Sequence, residues 1–219
     1  YGKTIPTMIS ETGAVPGIKV DTGAKNLANS LDEKITEGLD GLRERLKRYY
    51  KLGARFTKWR GVYNIGEKYP SKIAVNSNAH ALARYSALAQ ESGMVPIVEP
   101  EVLMDGEHSA DDCLVKTSEV IKKCFDELII HKIDLTGVIL KPNMILAGNK
   151  SKNKISNEEV ASKTLECLKK SVPNEVPGIA FLSGGQSEIE ATENLNLINK
   201  NNDTNFIMTY SNGRALQQS

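Results

Sequence analysis

The chain has 219 residues, of which 40% are hydrophobic and 25% charged, with a formal net charge of +1. That is the composition of one globular domain with a core, and mixed charge near balance leaves no footprint for nucleic acid or an anionic membrane surface. No apolar run approaches the ~18 residues a membrane-spanning helix needs, and no secretory signal pattern opens the sequence. Cys113, Cys124 and Cys167 are odd in number, lack ligand or redox spacing and fall in helical stretches, which suits a reduced, cytoplasmic protein better than a disulfide framework. Tyr1 in place of Met, and an end at Ser219 soon after a helix-start pattern, read as part of a longer protein.

Short apolar runs alternate with amphipathic stretches, the pattern of βα units and a parallel sheet. In chain order, the first strand is expected at 15–20 and ends in Lys19. Segment 21–37 is rich in Asn, Gly, Lys and Ser without periodicity and reads as loop or short irregular helix, as does 146–155. A helix is expected around 38–52, then a strand at 54–60, where Lys58 and Arg60 alternate on one face and Trp59 points to the other. After a helix around 78–92, the strand at 95–99 is apolar up to Glu99, and Pro100 holds Glu99 and Glu101 on one side of an extended chain. The helix at 109–131 carries an apolar stripe of Val115, Val120, Ile121, Phe125 and Leu128. A buried strand at 137–141 then delivers Lys141 to its end and stops at Pro142. Capping boxes at Ser156/Glu159 and Ser187/Glu190 start helices over 156–171 and 187–200, with strands at 178–183 and 205–211.

Lys19, Lys58, Glu99, Lys141 and Ser183 recur at spacings of 39, 41, 42 and 42, and Arg214 follows 31 later. A sheet closed on itself points all its C-terminal strand ends at one rim, so this cadence favours a (β/α)8 TIM barrel. An open doubly wound sheet is the rival, but no G-x-G-x-x-G follows the first strand. Lys141 is the best nucleophile available: a desolvated amine, its pKa lowered further if Lys58 faces it, would trap a carbonyl substrate as a Schiff base. A carboxylate such as Glu99 would move the protons that carbinolamine dehydration requires. The Ser183-Gly184-Gly185 turn ahead of a helix, with Arg214 in the next loop, fits a phosphate. His80, His108 and His131 sit in separate segments without ligand spacing, so no metal and no other cofactor is expected.

Taken together, Gly17-Ile18-Lys19-Val20-Asp21, Lys58-Trp59-Arg60, Val98-Glu99-Pro100-Glu101, Leu140-Lys141-Pro142-Asn143-Met144, Leu182-Ser183-Gly184-Gly185-Gln186 and Gly213-Arg214-Ala215-Leu216-Gln217 resemble class I fructose-bisphosphate aldolase over essentially the whole chain. Glu37 to Arg45 and His80 to Tyr85, together with Asn212 where many animal members carry Tyr, look closer to bacterial relatives. The resemblance implies a (β/α)8 barrel of which this chain supplies about strands three to eight, as one partial domain over 1–219. It implies Lys141 as Schiff-base lysine, Glu99 as acid and base, Lys58 near the substrate hydroxyls and Glu101 as a carboxylate supporting the lysines. Lys19 and Arg60 would meet the distal phosphate, and Ser183, Gly184, Gly185, Ser211, Gly213 and Arg214 the other. It implies cleavage of fructose 1,6-bisphosphate without metal in a cytoplasmic homo-oligomer, usually tetrameric, with no nucleic acid or membrane partner. The first two strands, one bearing a catalytic aspartate, would lie outside the chain, leaving these residues inactive or unstable alone. Another Schiff-base barrel lyase or transferase on sugar phosphates, or a non-catalytic phosphate-binding scaffold, are the alternatives.

Overall fold

The computed structural model describes residues 2–211 and 213. In chain order the elements are α1 (Ile5–Glu11), β1 (Gly17–Lys19), β2 (Gly23–Asn26), β3 (Lys34–Glu37), α2 (Leu42–Lys51), β4 (Phe56–Tyr63), α3 (Lys72–Glu91) and β5 (Val95–Val102). They continue with α4 (Ala110–Ile130), β6 (Ile139–Leu140), α5 (Asn157–Ser171), β7 (Gly178–Phe181), α6 (Glu188–Lys200) and β8 (Ile207–Tyr210). Six strands form one parallel sheet in the order β1-β4-β5-β6-β7-β8. Because the order only ever advances, the right-handed crossovers place the intervening helices on one side, which is the wall of a (β/α)8 barrel.

Register decides which side chains face the helices. Trp59, Val98, Leu140, Ile179 and Met208 lie abreast across β4 to β8, and all five are buried. They pack under Leu82 and Tyr85 of α3, Phe125 and Leu128 of α4, Leu168 of α5 and Ile198 of α6. Each such side chain contributes about 1.5–3 kcal/mol of hydrophobic burial. Trp59 stacks on Tyr85 with ring centroids 5.5 Å apart, and the Tyr85 hydroxyl bonds Thr57 Oγ1 at 2.8 Å. With that row turned outward to the helices, the residues one step on, Arg60, Glu99 and Lys141, turn to the opposite face.

Each of the six expected strands is present, although β4 and β5 run longer than their apolar cores and β6 is only two residues. Segment 21–37 is not loop or irregular helix: β2 and β3 pair as an antiparallel hairpin. The Asn78 side chain of α3 grips it, accepting from Thr36 N at 3.1 Å and donating to Lys34 O at 2.9 Å, while Thr36 Oγ1 donates to Arg60 O at 2.6 Å. Helix α3 begins at Lys72, six residues earlier than expected, because Ser71 caps it by accepting from Ala74 N. Both expected capping boxes form, and a third closes α4 between Ser109 and Asp112. Of the α4 stripe, Val120, Ile121, Phe125 and Leu128 are buried, whereas Val115 is exposed, 100° per residue having carried it past the sheet-facing edge. The three cysteines are free and buried. No helix among the described residues is long and apolar enough to cross a membrane.

Candidate active site

Backbone hydrogen bonds beyond the strands stitch their C-terminal ends into a continuous rim. Val20 N donates to Lys58 O, Lys141 N to Val98 O at 2.8 Å, Leu182 N to Pro142 O at 3.1 Å and Ser211 N to Phe181 O at 2.7 Å. The chain beyond each strand is thereby held beside its neighbour, and the polar residues that follow the apolar rows are fixed with it.

Lys141 follows β6 directly, and its side chain is only 10% exposed. Its Nζ lies 3.1 Å from Glu99 Oε1, while Lys58 Nζ pairs with the other oxygen, Oε2, of the same carboxylate. Glu99 itself is 3% exposed, so the two ammonium groups face each other across a buried anion rather than directly. This arrangement places a proton-transfer group within hydrogen-bond reach of the amine, the geometry that acid–base catalysis at a lysine requires.

The next cluster is built on Arg60. Its Nε pairs with Glu101 Oε2, and its backbone N–H donates to Asp21 Oδ2 at 3.3 Å. Burial works against the guanidinium's charge, but Glu101, with Glu99 and Asp21 beyond it, outweighs that and holds Arg60 above the ordinary arginine range. Glu101, expected to support the lysines, is bonded to Arg60: in register Glu99 lies opposite Arg60, and the i,i+2 step along β5 carries Glu101 one rung past Arg60 and two past Lys58. Lys19 reaches Asp21, donating to its carboxylate and, at 3.0 Å, to its backbone oxygen. A continuous network therefore joins β1, β4, β5 and the end of β6.

Two of its organising residues stand in the quoted motifs but were given no role there. Asp21 is buried and also accepts from Gly23 N at 3.1 Å, and its only advance signal was an acid two residues after Lys19. Asn143 is buried behind Lys141, accepting from Val102 N at 3.0 Å and donating to Thr117 Oγ1 at 3.2 Å and Met144 O at 3.1 Å. It locks the segment after Lys141 to the end of β5, which carries Glu99.

The expected phosphate loop follows β7. Gly184 and Gly185 have φ of 56° and 81°, left-handed values that side chains resist, and a Cβ on Gly185 would meet Met104 Sδ at 2.4 Å. Ser187 then caps α6, and Gln186 N bonds Ser183 O at 3.0 Å. A cavity of about 300 Å³ opens beside Gly185 and Gln186 towards Lys154 and Asn157, not over Lys141. Ser211 stands at the end of β8 and Gly213 is exposed, while Asn212 and Arg214 lie outside the described residues. Two of the three histidines are not apart as their spacing implied, since His80 and His131 meet with ring centroids 5.0 Å apart.

A family model described as fructose-bisphosphate aldolase class-I matches residues 1–219. The chain is 48% identical over 219 residues to fructose-bisphosphate aldolase 4, cytosolic, of Arabidopsis thaliana, covering 100% of this chain and 56% of that protein. It is equally 48% identical over 217 residues to a probable fructose-bisphosphate aldolase class 1 of Xylella fastidiosa, covering 99% of this chain and 65% of that one. Among solved structures, the fructose-bisphosphate aldolase of Plasmodium falciparum, crystallised with TRAP and a small-molecule inhibitor, superposes with a TM-score of 0.94 at 45% identity. That match covers 96% of this chain and 61% of the other. The chain thus spans roughly three-fifths of the length of these relatives.

Proposed function

The chain belongs to the class-I fructose-bisphosphate aldolase family, and on that premise we propose that it carries the Schiff-base machinery for cleaving fructose 1,6-bisphosphate. The observation that carries this reading is the nearly buried Lys141 amine 3.1 Å from the buried Glu99 carboxylate. Lys141 attacks the C2 ketone, and the carbinolamine loses water as Glu99 gives and takes back a proton. The resulting iminium draws in the electron pair of the C3–C4 bond as the C4 hydroxyl gives its proton to a carboxylate and that bond breaks, releasing glyceraldehyde 3-phosphate and leaving the enamine of dihydroxyacetone phosphate on Lys141. Protonation of the enamine and hydrolysis return the free lysine.

In this proposal Lys58 serves the substrate hydroxyls while sharing Glu99, and Lys19 and Arg60 bind the distal phosphate. Asp21 and Glu101 hold those two cations in place. Ser183, Gly184, Gly185, Ser211, Gly213 and Arg214 bind the other phosphate through backbone amides and a guanidinium, which positive φ at the glycines favours. Residues 1–219 are proposed as the larger part of one barrel domain, with two further strands and a C-terminal segment outside them, working in the cytoplasm as a homo-oligomer. In the full-length protein carrying this sequence, Lys141→Met is expected to abolish cleavage of fructose 1,6-bisphosphate while the variant still binds the bisphosphate. Undiminished turnover in that variant would overturn the assignment.

A further inference from the structure

On the outer, helical side of the sheet, His80, Glu127 and His131 each offer a ligand atom, and these atoms lie within 4.8 Å of one another. His80 comes from α3, Glu127 from the last turn of α4 and His131 from the residue that caps it. Glu127 and His131 are four apart, so the helix sets them on one face, and α3 and α4 pack side by side. We propose that these three residues form a binding site for a borderline divalent transition-metal ion, Zn²⁺ foremost, that clips α3 to α4.

The donor set is two imidazoles and a carboxylate, a combination that binds zinc with a water in the fourth position. Tetrahedral zinc with bonds near 2.0–2.1 Å separates its ligands by roughly 3.3 Å. Glu127 Oε2 already stands 3.3 Å from His80 Nδ1, and the three ligand atoms lie within 4.8 Å of one another, so side-chain rotations that bring the rings and the carboxylate together close the site. The carboxylate is divided to suit it: Lys123 takes Oε1 at 2.8 Å and leaves Oε2 to the two rings. His131 Nδ1 donates to the Glu127 backbone oxygen at 2.9 Å, the kind of outer bond that fixes ligand-histidine tautomer and ring orientation and leaves Nε2 a lone pair. Open clefts of about 560 and 490 Å³, lined respectively by His80 and His131 and both by Arg84, give an ion and its water an entry path.

The site stands apart from the rim bearing Lys141. His131 ends α4 where the chain turns back towards the start of β6, whereas the rim lies at the opposite, C-terminal ends of the strands. Occupancy is therefore expected to raise stability without entering the reaction, and α3 and α4 follow the two strands that carry Lys58, Arg60, Glu99 and Glu101.

The test titrates Zn²⁺ into the full-length protein carrying this sequence, against a chromophoric chelator, for wild type, His80→Asn, His131→Asn, the double variant and Glu127→Gln. His80 is half exposed, so its substitution leaves the fold intact, which a melt without metal checks. The proposal expects one equivalent lost in the double variant, roughly tenfold or greater weakening in each single variant, and a Zn²⁺-dependent rise in melting temperature that the double variant lacks. Co²⁺ bound at the site is expected to show tetrahedral d–d bands without thiolate charge transfer, which separates it from Cys113, Cys124 and Cys167. Equal stoichiometry, affinity and thermal response in wild type and double variant, or a thiolate spectrum, would overturn it.

Discussion

Glu99→Gln removes a single negative charge from between two lysines and changes almost no volume. The carboxylate is 3% exposed and accepts from Lys58 and Lys141, whose side chains are 22% and 10% exposed. Breaking one partner out of a fully buried pair costs about 3–5 kcal/mol, but Lys58 retains some water, so a loss of about 2–3 kcal/mol is expected. The neutral amide donates where the carboxylate accepted, and it cannot shuttle the dehydration proton, which carries a kinetic penalty of roughly 10²–10⁴-fold. Both effects are measured in the full-length protein: urea unfolding for stability, and single-turnover borohydride trapping for the rate of iminium formation. Glu101→Gln is the matched control, because Glu101 pairs with Arg60 whereas both lysines pair with Glu99; it is expected to weaken bisphosphate binding while the trapping rate at saturating substrate holds. If Glu99→Gln unfolds at the wild-type urea concentration and traps at the wild-type rate, the shared carboxylate is not the proton carrier.

Asn143→Ala leaves the buried Val102 N–H without its acceptor and is expected to cost about 3 kcal/mol in urea unfolding, with trapping at Lys141 slowed roughly tenfold or more as the segment loosens. Gly185→Ala forces a side chain into φ of 81° at about 1–2 kcal/mol and crowds Met104 Sδ. Adding Met104→Ala should relieve the crowding alone, leaving the conformational cost visible in denaturation and in a raised KM. Glu33 accepts from Ser30 Oγ, Ser71 N and Ser71 Oγ, bonds that outweigh burial and hold its carboxyl below the 4.5 of a free glutamate. A depressed carboxyl stabilises above its unfolded value and ceases to as pH falls through its folded one. The stability gap between wild type and Glu33→Gln, about 1–3 kcal/mol at neutral pH, should therefore shrink below pH 4.5, as acid titration of urea midpoints would reveal.

The six-strand sheet was legible because each strand is an apolar row one residue short of a polar end, and the row Trp59, Val98, Leu140, Ile179 and Met208 is what the helices cover. Lys141, Glu99 and Lys58 were legible for the same reason, each being a charge set immediately beyond buried neighbours. The β2–β3 hairpin was not, since Ile35 is nearly its only large apolar residue and its hold comes from Asn78, 42 residues from Thr36. Periodicity has no access to such a contact. Asp21 and Asn143 stand in the quoted motifs but were given no role, because the backbone N–H groups of Arg60 and Val102 that they accept from, and the Thr117 hydroxyl, come near them only through the fold. The pairing of Glu101 with Arg60 was not legible, because sequence shows that two acids share a face but not which strand rung each one meets. The histidines misled in the opposite sense, as 51 positions separate His80 from His131 along the chain while adjacent helices bring their rings together.

The nucleophile itself admits the most direct test. Full-length protein carrying this sequence is incubated with dihydroxyacetone phosphate, reduced with borohydride, digested and mapped by mass spectrometry. One adduct per chain on Lys141, absent without ligand and lost in Lys141→Met, is the predicted result. An adduct on Lys58 or another lysine, or none under conditions where the protein turns over substrate, would contradict it.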